Sequence, residues 1–200
     1  MKRHVAILLF EEVEILDFAG PFEVFAATNE LNGFEVFHTF TVAELPGSIR
    51  TRNGLKVVPD FTLESAPQPH ILLVPGGSGT RPLLRKASML EWVRQRARKA
   101  ELVASVCTGS LLLAQAGLLH NLRATTHHEA IAELAALAPN TDVVKDVRFV
   151  DNGQVLTAAG ISAGIDLCLH IVARLHGMAT ARRTADYMEY RWLHEKGSQA

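Results

Sequence analysis

Leu102-Val103-Ala104-Ser105-Val106-Cys107-Thr108-Gly109-Ser110-Leu111-Leu112-Leu113 passes from an apolar strand pattern to an apolar helix pattern across one cysteine. Residues 102–106 form a short, nearly continuous apolar run, as in a strand covered on both faces. Residues 108–119 read as a helix buried on most sides. Turning from strand to helix across a single residue crowds its neighbours, so small side chains are needed two positions either side. Ser105 and Gly109 stand there. This is the logic of a nucleophile elbow, with cysteine in place of serine. Such a turn lifts Cys107 into the crevice at the carboxyl end of a parallel sheet. It also sets the sulfur at a helix amino terminus, which favours the thiolate, so an activated thiol is expected. A free cysteine can equally be a small core residue, but the small, polar Cys-Thr-Gly-Ser surround argues against that here.

Outward from this segment, short apolar runs alternate with longer amphipathic stretches, the βαβ rhythm of a sheet covered by helices. Further strands are expected at 5–10, 34–42, 70–74 and 155–158. Helices are expected at 22–31, with Gly20-Pro21 as its first turn, and at 127–137, 163–176 and 179–194. Another begins at Ser88-Met89-Leu90-Glu91, which has capping-box spacing, and carries Leu90, Val93 and Ala97 as its inward stripe. Asn53-Gly54 marks a tight hairpin between 48–51 and 56–59, placed on the sheet's edge. A second hairpin joins 143–150 to 154–158 through Asp151-Asn152-Gly153. The expected architecture is α/β: a mostly parallel sheet, helices on both faces and a small edge hairpin. No linker or repeat interrupts it, so residues 1–200 read as one domain, with its core at about 4–177 and a C-terminal helix at about 179–194.

Composition narrows the function. Twenty basic and 21 acidic residues give a net charge of −1, which offers no electrostatic case for nucleic acid. The first apolar run, 5–10, ends in Glu11-Glu12 and suits a buried strand better than a signal peptide. No stretch reaches the roughly 18 apolar residues that span a membrane, so a cytoplasmic protein is expected. The two cysteines, 61 positions apart, suggest neither a disulfide framework nor a zinc site. Cys168 lies in a helical apolar run and reads as core. The adjacent His127-His128 pair is poorly arranged for one ion, so no metal or cofactor is expected.

Three further pieces bear on the thiol. Val74-Pro75-Gly76-Gly77 ends a strand in a glycine turn, which could present N–H groups as an oxyanion hole or be a plain tight turn. Asp17, expected in the loop after the first strand and so also at the sheet's carboxyl end, is an acid for the same site or merely a solvated acid or cap. His127 is a base or shuttle near neutral pH, or a surface histidine. Phe18, Phe22 and Ile161 are either pocket lining or core.

Pro75-Gly76-Gly77, Val106-Cys107-Thr108-Gly109-Ser110, Ala124-Thr125-Thr126-His127 and Ala158-Ala159-Gly160-Ile161-Ser162-Ala163-Gly164 occur in the order seen in the DJ-1/PfpI (ThiJ) superfamily, which the chain resembles from Val5 to about His176. Leu16-Asp17-Phe18-Ala19-Gly20-Pro21 and Cys107-Thr108-Gly109-Ser110 look closest to its isocyanide hydratase branch. The resemblance implies a flavodoxin-like three-layer sandwich, a homodimer and a cysteine beside an acid from the first loop. Those two residues are Cys107 and Asp17, with amides near Gly77 and Thr108 facing the reacting centre, Gly76 and Ile161 beside it and His127 nearby. The implied activity is hydration of an isocyanide, a small-molecule substrate, to an N-substituted formamide. Glyoxalase-like hydration of dicarbonyls through Cys107 and His127, or a cysteine redox sensor, are the alternatives. The peptidase branch has histidine after its cysteine where Thr108 stands. The glutamine amidotransferases, whose elbow is similar, use a late His-x-Glu pair, and the tail offers only His194-Glu195. Related regulators append a helix-turn-helix module, for which the residues up to Ala200 leave no room.

Overall fold

The computed structural model describes residues 1–192. From the amino end run β1 (Arg3–Leu8), α1 (Ile15–Leu31), β2 (Phe37–Ala43), the short strands β3 (Ile49–Arg50), β4 (Lys56–Val57) and β5 (Phe61–Thr62), then β6 (Ile71–Val74). Next come α2 (Thr80–Leu83), α3 (Ala87–Lys99), β7 (Leu102–Val106), α4 (Gly109–Gln115), β8 (Arg123–Ala124), a 3-10 turn (His128–Ala130) and α5 (Ile131–Leu137). The chain closes with β9 (Asp142–Val143), β10 (Phe149–Asp151), β11 (Val155–Ala158), α6 (Ala163–His176) and α7 (Met178–Tyr187).

Seven strands form the central sheet in the order β10-β11-β7-β6-β1-β2-β5, parallel except for β10. This is the flavodoxin-like order. The chain leaves β1 toward one edge and β6 toward the other. Right-handed crossovers therefore put helices on both faces: α1, α6 and α7 pack together, and α4 packs on α2, α3 and α5. The strands β1, β6 and β7 contribute fully buried Ile7, Leu8, Leu72, Leu73 and Ala104 to the core between these layers. Among the described residues no helix is long and apolar enough to cross a membrane.

Several expectations are corrected. Pro21 lies inside α1, which starts six residues earlier at Ile15, so Asp17 sits on a helix's first turn rather than in a loop. The Glu14 carboxylate caps that helix by accepting from Ile15 N–H, which removes any need for proline to start it. Ser88 forms no capping box: α3 begins after Lys86, without a side-chain cap. The helix after Cys107 ends at Gln115, just before Gly117 turns the chain at φ +77°. The 127–137 helix opens instead as the 3-10 turn capped by His127. The Asn53-Gly54 hairpin forms, but β3 and β4 make their own two-stranded sheet. The central sheet ends at β5. The hairpin is tied to the segment after β1 by Glu12 N–H to Arg50 O (2.8 Å) and Arg52 N–H to Val13 O (3.0 Å). The last expected helix, 179–194, is observed only as far as α7, which ends at Tyr187; residues 188–192 are not helical, and positions 193–194 and the His194-Glu195 pair lie outside the described residues.

Candidate active site at Cys107

The carboxyl ends of β1, β6, β7 and β11 converge, and each sends one segment toward the same sulfur. Cys107 turns the chain between β7 and α4 at φ +56°, left-handed backbone that a cysteine adopts only when its surroundings hold it there. The hold is visible. Its N–H is shared between Ala158 O (3.2 Å) and Ala159 O (3.1 Å), and its carbonyl accepts from Thr126 Oγ1 (2.9 Å). Gly109 is obligatory, because a Cβ there would lie 2.0 Å from Val74 O.

Asp17 is fully buried, and its Oδ2 accepts from Gly76 N–H at 3.0 Å. Its Oδ1 is buried without a hydrogen-bond partner. Burial raises the Asp17 carboxyl from 3.8 to about 7, and nearby Glu14 pushes the same way, against the Gly76 amide and the Cys107 thiol, which favour the ionised form. Burial also pushes the Cys107 thiol up to about 12, helped by the Asp17 charge, while the backbone N–H groups of Thr108 and Ile161 pull it down. At the sulfur, desolvation and one carboxylate outweigh the two amides, against the thiolate that the helix amino terminus favours. Cys107 and Asp17 are a coupled pair that gives up its first proton near pH 7 and keeps the second well above it.

Gly76 and Gly77 hold this pair together in a way the sequence did not reveal. A Cβ on Gly76 would sit 2.6 Å from Thr108 N and 2.9 Å from Asp17 Oδ2. Gly77, at φ +129°, lies so close to the segment after β1 that a Cβ would be 2.3 Å from Glu12 O. Its N–H donates to Thr108 Oγ1 at 3.0 Å, and the neighbouring Gly76 N–H is the amide of this turn that reaches Asp17. The amides that act on the sulfur belong to Thr108 and Ile161.

This geometry agrees with the comparisons. The DJ-1/PfpI family model matches residues 3–174. The chain belongs to that family. It is 35% identical over 193 residues to the isonitrile hydratase of Pseudomonas putida, covering 95% of this chain and 79% of that protein. It is 25% identical over 186 residues to the HTH-type transcriptional regulator GbdR of Pseudomonas aeruginosa, and spans only 50% of that relative's length. The crystal structure of a ThiJ/PfpI family protein from Pseudomonas syringae superposes with a TM-score of 0.85 at 28% identity, over 96% of this chain and 76% of that one.

The remaining candidates in this DJ-1/PfpI chain have different surroundings. Phe18 is buried in the core. His127 packs its ring on Gly160, where a Cβ would be 2.2 Å from Cδ2, and its Nδ1 accepts from Glu129 N–H at 3.3 Å. Burial lowers its pKa, with His128 acting in the same direction, so the ring is neutral at pH 7. The largest charge effects on it come from His128, Glu129, Arg52 and Glu14. Ile161, at φ +45°, is the half-exposed end of the segment whose amide meets the thiol. Thr126 and Glu14 are the residues that sequence reasoning missed. Both act on the pair from positions that only the fold brings near, although the Ala-Thr-Thr-His run flanking Thr126 was a signal.

Proposed function

We propose that this protein is a cytoplasmic, single-domain, homodimeric hydratase that uses Cys107 to convert an isocyanide to an N-substituted formamide. The observation that carries this reading is the buried Cys107–Asp17 pair. An isocyanide carbon must receive a nucleophile and a proton at the same atom, and the pair supplies both side by side. The Asp17 carboxylate takes the thiol proton as Sγ bonds to the terminal carbon. The carboxyl then gives that proton to the same carbon, leaving a thioimidate, R–N=CH–S–Cys. Water adds to this carbon, a proton goes to nitrogen, and the C–S bond breaks to release R–NH–CHO and the thiol. The sum is isocyanide plus water to formamide. The Thr108 and Ile161 amides stabilise negative charge on sulfur as it attacks and as it leaves.

The identity to an isonitrile hydratase over most of both chains supports the same reading. The free state of both cysteines accords with a reducing compartment. Exposed Leu55 and Val58 on the hairpin offer apolar surface for a second copy. Turnover of phenyl isocyanide by purified protein, followed as formamide, tests the proposal with Cys107→Ala alongside. Formamide formation that persists in the variant would sink it. A second reading is favoured by the same amides and acid: a sensor in which peroxide oxidises Cys107 to a sulfinate held by those donors. Peroxide titration followed by mass, with no isocyanide turnover, would select it.

A further inference from the structure

A cavity of about 680 Å³ lies where the chain leaves β1 and β2, and neither Cys107 nor Asp17 lines it. The glycine turn after β6 separates the two places. Gly76 and Gly77 hold Asp17 and Thr108, whereas the next two residues, Ser78 and Gly79, belong to the cavity wall. Gly79 is pressed so close to the segment after β1 that a Cβ would lie 1.8 Å from Glu11 O. The start of α3 contributes Met89 and α2 contributes Leu83, while the loop after β2 contributes Leu45 and Pro46. Leu9, Phe10, Ala43, Ile49 and Met89 make a buried apolar floor, and Leu45, 71% exposed, carries that apolar surface out to the solvent.

The charges of the wall are unequal. They are Glu11, Glu12, Glu44 and Lys86. Lys86 is taken by Glu44, with Nζ 2.5 Å from Oε2. The Glu11 carboxylate accepts from Arg50 N–H at 3.1 Å, and the Glu12 carboxylate from the Ser78 hydroxyl at 3.3 Å. Both of those donors are neutral. Two exposed negative charges at the mouth therefore have no counter-charge from the wall.

We propose that this cavity is a second small-molecule site, which takes an apolar primary ammonium ion: an aryl- or alkylamine whose body fills the hollow and whose charged end stays at the mouth beside Glu11 and Glu12. The site is independent of the chemistry at Cys107. Its volume suits a small organic guest, and burial of the apolar body supplies the affinity. An ammonium has three donors for the two carboxylates and keeps its water on the open side, so little desolvation opposes it. A carboxylate head in the same place meets two like charges.

Three probes share one body and differ at the head: 4-phenylbutylamine, 4-phenylbutanol and 4-phenylbutyrate. Titrations followed by amide chemical shifts report both Kd and place. The amine is expected to bind about threefold to fivefold more tightly than the alcohol and the butyrate more weakly than either, a spread that high salt narrows. The shifts are expected at 44–49 and 78–89. Glu11→Gln with Glu12→Gln should bring the amine to the affinity of the alcohol and leave the alcohol unchanged. Ser48→Trp, from an exposed wall position, should weaken all three by about tenfold by filling the hollow. The Gln pair changes two exposed side chains and stays decisive if the Trp variant does not fold. Equal affinity for the three heads, an amine preference that survives the Gln pair, or shifts centred on 126–128 and 159–162 would overturn the inference. So would failure of every probe to bind, and amides of 44–49 that shift on dilution of the protein alone would then assign this face to a second copy of the chain.

Discussion

The two cysteines of this chain are both buried, both free and both pushed toward the protonated form by desolvation, yet only one has polar groups gathered around its sulfur. Cys168 lies within α6 with no exposed surface, and burial is the sole influence on its thiol. Cys107 carries left-handed backbone, two amides directed at its sulfur and a buried acid beside it. The difference teaches that burial makes a thiol inert only where nothing compensates it. With a partner carboxyl near 7, the same desolvation stores a proton at the sulfur instead.

The contrast can be broken most decisively by removing each sulfur. Cys107→Ala is expected to lower formamide production on the order of 10⁴-fold or more. Cys168→Ala is expected to keep kcat/KM within about twofold while losing roughly 1 kcal/mol of stability, or ~3 °C in Tm. Equal loss in the two variants would end the distinction.

Asp17→Asn comes next, at about 10²- to 10⁴-fold in turnover, with Cys107 still open to alkylation and reacting at lower pH once the neighbouring charge is gone. Wild-type kcat/KM should climb as pH rises through about 7, where the pair loses its first proton, and the Asn variant should lack that limb. Stability carries the opposite sign. A folded-state pKa raised from 3.8 to about 7 means that the native state holds a proton the unfolded chain has released. This contribution is full below pH 3.8 and is lost as pH rises through 7, by up to ~4 kcal/mol. Denaturant titrations at pH 5 and pH 8 check it, and Asp17→Asn should narrow the gap.

Gly76→Ala sharpens the comparison differently, since its Cβ would strike Thr108 N and Asp17 Oδ2 and leaves both sulfurs in the chain. It should cost about 1–3 kcal/mol and shift the pH limb of turnover. His127→Ala has the smallest effect on turnover among the site variants, about threefold and through KM, because it removes one flat ring packed on Gly160. A loss in kcat as large as that of Asp17→Asn would instead favour the dicarbonyl chemistry.

The alternation of strands and helices, the elbow and the cysteine at its tip were legible in the sequence, because each depends on neighbours a few residues away. Ser105 and Gly109 flank Cys107 within two positions, and the apolar runs of β1, β6 and β7 announce strands covered on both faces. The glycine turn after β6 was legible as a turn but not in its purpose. Asp17 could be picked out, and a proton held or shared beside the sulfur could be argued from the repulsion of two negative charges, yet the complete burial that raises its pKa could not.

Those properties belong to the tertiary structure, which brings together the ends of four strands separated by up to a hundred and more positions of chain. Desolvation is set by everything packed around a group, so no local pattern could have shown that Cys107 rests as a thiol. Only the fold decided that Gly77 spends its N–H on the Thr108 hydroxyl while Thr108 and Ile161 turn theirs to the sulfur. A backbone amide looks the same at every position in a sequence. Its direction comes from the turn that holds it and from the strands that hold the turn.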